Sequence, residues 1–559
     1  MKTYSHTSRI IVVAALATLL LAHVAHAEPT KSLRAGRTGT LAVKNTDCSP
    51  PCAYETMEQL LLVDDEGNET PLKIDAGMVN QRGGLKALGG RRITVVGGVS
   101  GSSAATMTVE DIQIEGPNRV AMHPVPSFGA RPWVTILCRY SDDSSTPETK
   151  SWVQTLMTGT AFPSVDHYFR EISFNNLNFS GSLVVGWYTL PQPYSYYNWD
   201  KNGNGWPEFD YARAITDAVA KAEADVNFPN FVGIHMFFNR NPACDVDPTG
   251  GVVCASSMFA YPVTADGQTR NYGVSCIGPW GYHLQTVVCH ELMHTLGVHH
   301  SAARYDYIQD HHWDIMSWSG LCAQPHAEYG CLGVDTISYH LWELGWIHPV
   351  HQFDAGAGKA DIITLERLDQ SPLNPGIRLA AKLPMGGSAT KFYTVETRRL
   401  AGYDGLGAIP GDAVIICDVD TQRIVYDDEG RAIADRYAQV IDIDNNGNAD
   451  DDGARWLPGE GFEDTTNQVV VFVESSDAVS SVVSLSNKAR STVYVNPANS
   501  GAEDGTAQYP WNTAKEGYAG AYLGGNVYLT PISYNEKFRM AKPCTLRRFG
   551  TTGSVIIGQ

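Results

Sequence analysis

Basic residues are scarce in this chain of 559 residues. Lysine and arginine together number 41, against 60 aspartates and glutamates, which leaves a formal net charge of −19. Because so negative a surface repels a phosphate backbone, nucleic acid is excluded as an expected partner. The same charge is typical of a soluble extracellular protein or of one that binds cations.

Long apolar runs are confined to the N-terminus. Lys2 and Arg9 precede an apolar run at residues 10–25, and the tripeptide AHA closes this region. The run is short for a bilayer span and ends at a small-x-small cleavage site, which is typical of a secretory signal peptide rather than a membrane anchor. We therefore expect that cleavage after Ala27 removes residues 1–27, and that the mature protein is secreted and has no membrane span.

Cysteine spacings typical of a structural zinc knuckle are also lacking, as are internal repeats of solenoid period. The chain has 11 cysteines, and in an exported protein most of them should pair. The odd number leaves at least one thiol unpaired within the chain. Spacing alone does not determine connectivity, but three pairs of close neighbours are the expected disulfides: Cys48 with Cys52, Cys244 with Cys254, and Cys322 with Cys331.

The pattern of apolar runs divides the mature chain into four parts. Residues 28–125 alternate short apolar runs with turns and predict a β-rich prodomain or accessory domain. Strand and helix patterns alternate in residues 126–350, which is typical of an α/β domain. Residues 351–488 are rich in strands and predict a β-sandwich, and residues 489–559 form a last block rich in glycine, tyrosine and asparagine. We therefore expect an α+β multidomain fold.

The sequence HELMHTLGVHH predicts a metal site. His290 and His294 are spaced to lie on one helix face, one turn apart. A third ligand ten residues after His290 would be ~15 Å away along a continued helix, so the chain must turn back. Gly297 permits that turn because glycine takes the left-handed conformation without steric cost. The expected third ligand is His300, with His299 as its rival.

The residues around these histidines predict the rest of a catalytic site. Zinc favours three protein ligands and an open position, and Glu291 beside the first ligand is the expected general base. H-E-x-x-H alone arises by chance in roughly a few per cent of such chains, and the added glycine and histidine lower that chance by about two to three orders of magnitude. Cys289 is expected to be buried or disulfide-bonded rather than a nucleophile. His311 and His312 are expected at the surface or just outside the ligand set.

The long motif resembles that of the metzincin metalloproteases. Metzincins place a methionine turn below the zinc, and Met316 in DIMSW lies at the corresponding position. Some metzincins have a tyrosine ligand two residues after that methionine. Trp318 stands there in this chain, so the tyrosine's role does not carry over.

Further segments resemble the immune-inhibitor-A-type secreted metalloproteases, and the resemblance covers about residues 130–487. They are YFREISFNNLNFSGSLVVGWYTLP, LWELGWI, FYTVETRRLAGYDGLG and ARWLPGEGFED. The resemblance implies a metzincin-like zinc endopeptidase domain with an associated β-sandwich and a polypeptide substrate. It assigns the zinc ligands to His290, His294 and His300, and the general base to Glu291. An edge strand, unassigned from sequence, would align the substrate.

Two acidic loops are candidate calcium sites, with a solvated turn as the alternative for each. In DKNGNGWPEFD, oxygen side chains alternate around Gly205, but Tyr211 replaces the glutamate of a full EF-hand loop. DIDNNGNADDDG is the second loop. The expected calcium ligands are Asp200, Asn202 and Asn204 in the first loop, and Asp442, Asp444, Asn446 and Asp450 in the second.

The C-terminal residues 489–559 resemble the opening coil of right-handed parallel β-helix proteins, through DGTAQYPWNT and GGNVYLTPISYNE. Such proteins often bind or cleave polysaccharides, which makes a surface glycan a candidate partner of this segment. Only about one or two coils fit here, too few for a stable solenoid.

The sequence predicts a secreted zinc-dependent endopeptidase. The first alternative is a surface-binding or glycan-targeted adhesive protein with an inactive or latent metal site, which the intact Glu291 disfavours. The second is hydrolysis of another amide or an ester at the same site. Removal of residues 28–125 for activation is a further hypothesis, in which CSPPC is a local disulfide rather than a cysteine that blocks zinc.

Overall fold

The structure is a computed structural model that describes most of residues 34–558. The predicted signal peptide lies outside the described residues. Within the described part, the chain is mixed α and β, mostly sheet. The gaps are residues 49–57, 101–105, 116–126, 202, 204, 245–253, 304–310, 318–321, 323–324, 371–375, 407–408, 424, 427–431 and 434–435.

The N-terminal part is a small sheet with two short helices. Its elements are β1 (Arg34–Cys48), β2 (Gln59–Val63), β3 (Glu69–Lys73), α1 (Ala76–Gln81), α2 (Leu85–Leu88), β4 (Arg92–Ser100) and β5 (Thr106–Ile114). The residues DEGN at positions 65–68 predict a turn before β3. The turn forms, and Asp64 accepts hydrogen bonds in it from the backbone N–H groups of Glu66 and Asn68. Alternate residues of the strands, such as Leu41 and Val43, pack with α2 in one apolar core.

The next part alternates strands and helices. Its elements are β6 (Gly129–Ala130), β7 (Trp133–Arg139), α3 (Lys150–Thr158), α4 (Val165–Ile172), β8 (Leu177–Asn178), β9 (Leu183–Thr189), α5 (Tyr194–Tyr197), β10 (Asn198–Trp199), β11 (Glu208–Phe209), α6 (Tyr211–Ala222), β12 (Gly233–Phe238), β13 (Cys254–Ala265), β14 (Gln268–Ile277), α7 (Pro279–Tyr282), α8 (Gln285–Thr295) and α9 (Ser338–Glu343). In FDYARAITDAVAKAEADV, residues 209–226, the helical spacing of the apolar residues predicts an amphipathic helix, and α6 confirms it. Its apolar stripe is buried as expected: Ala214, Ile215, Ala218, Val219 and Ala222.

Strands β9, β7, β12 and β14 are parallel neighbours, and β13 follows β14 as an antiparallel strand. One face of this sheet packs against α6, and the other packs against α3, α4 and α8. Both faces are therefore covered, which explains why β12 is buried along its whole length.

Strand β1 joins the N-terminal sheet to the following sheet. It pairs antiparallel with β13, from Val43 opposite Phe259 to Cys48 opposite Cys254. The result is one ten-stranded sheet in the order β2-β3-β5-β4-β1-β13-β14-β12-β7-β9. The expected N-terminal β-rich part is thus continuous, through its first strand, with the sheet that it precedes in sequence.

The strand-rich part forms two sheets around a shared core. Its strands are β15 (Gln352–Asp354), β16 (Ala360–Glu366), β17 (Ala380–Pro384), β18 (Lys391–Arg398), β19 (Ala413–Asp420), β20 (Val425–Tyr426), β21 (Ala432–Ile433), β22 (Ala438–Val440), β23 (Gly461–Asp464), β24 (Val469–Ser476) and β25 (Ser480–Ser486). The five-stranded sheet β15-β17-β18-β19-β22 faces the four-stranded sheet β16-β25-β24-β23. Leu365, Val395, Val414 and Val471 lie between them.

The buried Arg398 links this part to the preceding one. Its guanidinium forms an ion pair with Asp404 at 2.7 Å and also donates to the backbone carbonyls of Trp313 and Asp335. A buried arginine is stable only when its donors are satisfied, so this contact fixes β18 against the chain that precedes α9.

The C-terminal part has only parallel strand pairs among its named strands. Its elements are β26 (Arg490–Val495), α10 (Ala514–Ala519), β27 (Ala521–Leu529), β28 (Ser533–Tyr534), β29 (Cys544–Arg548) and β30 (Ile556–Ile557). Thr513 and Glu516 form a capping box at the start of α10. The buried Lys542 Nζ donates to the carbonyls of Ala519 and Ala521, which fixes the end of α10.

Two of the three expected disulfides are present: Cys244–Cys254 and Cys322–Cys331. Cys52 lies outside the described residues, as does the expected pair to which it belongs. The cysteines that are free in the described part include Cys289, which is buried. Disulfides are characteristic of proteins in oxidising compartments.

The helices of the described residues include none with the length and apolar character needed to span a membrane.

Candidate metal centre

Helix α8 carries the H-E-x-x-H sequence, and all of its residues are buried. The backbone N–H groups of Gln285 and Thr286 donate to the carbonyls of Tyr329 and Cys331, at 2.9 and 3.0 Å. Two of the N–H groups that every helix start leaves unpaired are thereby satisfied. The chain next to the Cys322–Cys331 disulfide thus fixes where the metal-site helix begins.

Helix α8 ends just before Gly297, as the sequence predicts. Gly297 has a φ of +79°, in the left-handed region. Its N–H donates to the carbonyl of His294 at 2.8 Å, and the N–H of Val298 donates to that of Met293 at 3.2 Å. This pair of bonds is characteristic of helices that glycine terminates. The chain then turns back and brings His300 to the same face as the helix histidines.

Three imidazoles converge on one point. His294 Nε2 lies 3.0 Å from His290 Nε2 and 3.1 Å from His300 Nε2. All three rings are buried. The predicted triad is therefore assembled, and it is the side chain of His300, rather than that of His299, that completes it.

The backbone orients two of these rings. His290 Nδ1 lies 2.6 Å from the carbonyl oxygen of Ile315, and His294 Nδ1 lies 2.8 Å from that of Val298. A carbonyl oxygen only accepts, so Nδ1 carries the proton in both rings and Nε2 presents its lone pair to the shared point. Burial lowers the pKa of His294 to about 3, which keeps that ring neutral and able to bind a cation.

Asp47 is the fourth group at this point. One carboxylate oxygen lies 3.2 Å from His300 Nε2, and the other lies 3.4 Å from His290 Nε2 and 3.6 Å from His294 Nε2. Asp47 is buried, so its carboxylate needs a cation or hydrogen-bond donors around it. The four side chains together could hold a metal ion.

Glu291 lies beside the triad and is fully buried. Among the described residues, no donor reaches hydrogen-bond geometry with either of its carboxylate oxygens. Burial, and then the negative charge of Asp47, raises the pKa of Glu291 well above its usual value, while Ser257 acts in the opposite direction. A carboxyl group with raised basicity beside a metal site is suited to accept a proton.

Met316 is fully buried, in the turn whose Ile315 carbonyl contacts His290. Asp314 holds this turn: its carboxylate accepts from the backbone N–H of Met316 at 3.1 Å and from the Ser301 hydroxyl at 2.6 Å. His340 Nδ1 faces the same carboxylate at 3.1 Å. The turn that contains Met316 thus lies directly against His290.

The other histidines of the cluster have different partners. His299 Nδ1 lies 3.0 Å from a carboxylate oxygen of Glu58. His311 is fully buried beside Ser301, so of its two expected positions, at the surface or just outside the ligand set, the surface is excluded. The ring of His312 contacts the Asp450 carboxylate.

The two acidic loops differ in whether they bring several carboxylate side chains close together. Asp442, Asp444 and Asp451 each offer a carboxylate oxygen within 4.8 Å of the others, and this group could hold a metal ion. Asn446 donates to Asp444 and Asp451, whereas Asp450, which the sequence proposes, contacts His312 instead.

In the first loop, Asp200 accepts from the backbone N–H groups of Gly203 and Gly205, at 2.7 and 2.9 Å. These are the bonds of a turn closed by an aspartate side chain. The predicted ligands Asn202 and Asn204 lie outside the described residues.

Asp47 is the site residue that sequence reasoning misses. It belongs to β1, and 253 positions separate it from His300. The available signal is the alternation of β1: Asp47 is in phase with Leu41, Val43 and Asn45, all of which are buried. A carboxylate on the buried face of a strand needs a partner, but the pattern does not identify which one.

No protein-family model matches this sequence, and a search among curated proteins finds no match. The chemistry of the site follows from its own residues: three converging imidazoles, two of them oriented by backbone carbonyls, a buried glutamate and a facing aspartate. This combination is chemically suited to bind a divalent cation and to move a proton beside it.

Proposed function

We propose that this protein is a zinc-dependent endopeptidase of the metzincin type, resembling the immune-inhibitor-A enzymes, that acts outside the cell. His290, His294 and His300 are the proposed zinc ligands, and Glu291 is the proposed general base. The observation that carries the proposal is the convergence of three buried Nε2 atoms beside the buried Glu291 carboxylate. The two disulfides support an extracellular setting.

The donor set fits zinc. Nitrogen ligands ~2.1 Å from a tetrahedral zinc ion lie about 3.4 Å apart, close to the 3.0 and 3.1 Å that separate the imidazole nitrogens here. Three neutral imidazoles are a ligand set typical of catalytic zinc, whereas calcium and magnesium prefer oxygen. The lone pairs of His290 and His294, which face each other, also require a cation between them to be stable when buried.

The chain's own residues would carry the proton transfer. Zinc, when bound, supplies a Lewis acid that polarises the scissile carbonyl. Glu291 takes a proton from the attacking water and delivers it to the amine that leaves when the C–N bond breaks. The dry surroundings of Glu291 strengthen its electrostatic interactions with both groups.

Strand β13 is the proposed guide for the substrate. It forms the border of the α/β sheet next to α8, and its outer edge accepts an antiparallel strand. An extended peptide that paired in the same way would pass the triad with its backbone held by hydrogen bonds. This supports a polypeptide as the substrate class over a small amide or ester.

A cleavage assay tests the proposal. The purified protein is incubated with a quenched peptide library and with a denatured protein, with and without a zinc chelator, beside a Glu291→Ala variant. The proposal predicts hydrolysis that the chelator stops and that the variant lacks. Activity that survives both treatments would refute the zinc mechanism.

Limited proteolysis of the protein before the assay adds a second arm, because the N-terminal strand lies on the site. Absence of hydrolysis in both arms would favour the alternative of a binding protein whose metal site is inactive. A surface-glycan role for the C-terminal segment belongs to that alternative.

A further inference from the structure

A cleft of about 280 Å³ lies between the strand-rich part and the C-terminal part of the chain. Phe353 of β15 and Asp361 of β16 line it on one side, and Glu503, Trp511 and Glu516 line it on the other. None of these residues belongs to the metal centre. The cleft is therefore a separate concave surface, built where two parts of the chain meet.

Two polar atoms of the residues that line this cleft have no partner. Oε1 of Glu503 and Nε1 of Trp511 are both buried, and neither has a hydrogen-bond partner among the described residues. The side chain of Trp511 is almost wholly enclosed, since the residue is only 2% exposed. A buried acceptor and a buried donor each cost free energy until a partner reaches them. The cleft is therefore suited to a ligand that donates to Glu503 and accepts from Trp511.

The cleft also carries negative charge that its lysines leave uncompensated. Burial, and then the charge of Glu516, raises the pKa of Glu503. The lysines beside the cleft have other partners: Lys515 forms an ion pair of 2.6 Å with Asp361, and Lys359 Nζ donates to a backbone carbonyl at 2.7 Å. A cationic ligand would supply the charge that Glu503 lacks.

The shape and chemistry of the cleft together favour a basic side chain of a polypeptide. Lysine and arginine have an apolar stem, which can pack on Phe353 and Trp511, and a charged head that donates several hydrogen bonds. The head would donate to Glu503, and a neighbouring peptide carbonyl would accept from Trp511 Nε1. A bare metal ion offers no acceptor to the indole, and a neutral hydroxyl leaves the charge of Glu503 uncompensated.

We infer that this cleft is a second binding site for the polypeptide substrate and that it takes a lysine or arginine side chain. The inference rests on the proposed function and names the class of substrate, which is a polypeptide rich in basic residues. The net charge of −19 favours the same class, because it attracts cationic chains from a distance. A substrate that engages both the cleft and the metal centre dissociates less readily than one that engages the metal centre alone.

Binding of two blocked tripeptides tests the cleft without any cleavage. Acetyl-glycyl-lysyl-glycinamide is compared with its norleucine counterpart, which has the stem but no ammonium group. Both are titrated by calorimetry, at one fixed salt concentration, into protein that carries Glu291→Ala, and into the same protein with Glu503→Gln added. Glu66→Gln is the matched control, because it removes the same charge from an exposed side chain in the turn before β3.

We expect the lysine peptide to bind at least tenfold more tightly than the norleucine peptide, and Glu503→Gln to abolish that difference while Glu66→Gln retains it. Equal affinities of the two peptides for the protein with Glu503 intact would overturn the inference. A preference for lysine that survives Glu503→Gln would also overturn it, because the ammonium group would then bind elsewhere.

A second variant tests the place rather than the charge. Gly501 also lines the cleft, and a Cβ atom added there would meet only Asn499 Oδ1, at 3.6 Å, which is an ordinary contact. Gly501→Phe therefore narrows the cleft and leaves every carboxylate in place. We expect it to weaken binding of the lysine peptide at least fivefold, and unchanged binding by this variant would contradict the assigned position. This variant also decides the matter if Glu503→Gln folds poorly.

Hydrolysis separates failure of this inference from failure of the proposed function. With Glu291 intact, the cleavage assay uses a lysine-rich denatured protein and the same protein with its lysines acetylated. We expect Glu503→Gln to raise the KM for the lysine-rich substrate at least threefold with kcat unchanged, and to leave the acetylated substrate unaffected. An unchanged KM for both substrates would overturn the inference and leave the endopeptidase standing. Selective lysine binding at the cleft without hydrolysis in any protein would overturn the proposed function and leave the binding site standing.

Discussion

His299 and His300 are neighbours in sequence, but only one of them faces the metal position. His300 Nε2 lies 3.1 Å from His294 Nε2, whereas His299 Nδ1 pairs with Glu58. The assignment depends on the turn at Gly297, since one additional residue in that turn would bring His299 to the place that His300 occupies.

A pair of alanine variants tests this assignment. We expect His300→Ala to lose stoichiometric zinc and His299→Ala to retain it, because only the first removes a converging imidazole. Zinc content per folded chain, measured by elemental analysis after dialysis, decides between them. Retention of zinc by His300→Ala together with its loss from His299→Ala would reverse the assignment.

His235 on β12 predicts a pH effect on stability that is independent of the metal site. Its ring is fully buried, stacks on Trp133 with centroids 4.4 Å apart, and pairs with Ser275. Burial lowers its pKa to about 3 from the usual value of 6.5. As the pH falls below 6.5, His235 binds a proton in the unfolded chain, whereas in the folded chain its ring stays neutral until about pH 3. The free energy of unfolding therefore falls with falling pH, by about 1.4 kcal/mol per unit within that window.

A variant that cannot titrate isolates this contribution. We expect His235→Asn to be less stable than the unaltered protein at pH 7.5 and to lose less stability on acidification. The difference between their urea midpoints should therefore narrow steadily below about pH 6.5. A constant difference down to pH 4 would show that His235 is not the group responsible.

At the scale of the element, the turn that contains Met316 positions the metal-site helix. The Ile315 carbonyl fixes the ring of His290, and the Asp314 carboxylate holds the turn through Met316, Ser301 and His340. Asp314 touches none of the proposed ligands' Nε2 atoms, so it is a positioning residue. Partners of this kind contribute to metal affinity by orienting a ligand.

Replacement of Asp314 should therefore weaken zinc binding. We expect Asp314→Ala to lower the zinc affinity by about 10- to 100-fold, because the turn loses its acceptor and the His290 ring loses its fixed orientation. Met316→Leu, which conserves volume, is the control and should keep the affinity within a few-fold. Competition against a chromophoric chelator measures both variants. Equal affinities of the Asp314→Ala protein and the control would contradict a positioning role.

At the scale of the whole molecule, most of the structural features that the sequence predicts correctly follow from local patterns. The helix α6, the end of α8 at Gly297 and the return of His300 follow from spacings within a few residues, and the structure has all three. Two disulfides between near neighbours follow in the same way. Such features depend on backbone conformation and periodicity, which adjacent residues determine.

The features that sequence reasoning misses depend on distant pairing. The pairing of β1 with β13 brings Asp47 to His300 across 253 positions, and no local pattern encodes that partner. In the acidic loop the sequence predicts Asp450 as a ligand, but Asp451 lies in the cluster instead. The reason is also a distant contact, because Asp450 pairs with His312 from another part of the chain. Periodicity identifies which face a residue occupies, but not what lies opposite that face.

Peptide hydrolysis by this protein should depend on one zinc ion at the site of His290, His294 and His300. The most direct measurement is the rate at which zinc-depleted protein, in both the unaltered and the Asp47→Ala form, hydrolyses a denatured protein as zinc is returned. We predict no hydrolysis without zinc, followed by a rise that saturates at one ion per chain in at least the Asp47→Ala form. Hydrolysis that persists in zinc-depleted protein, or that is absent from both forms at full zinc content, would contradict the claim.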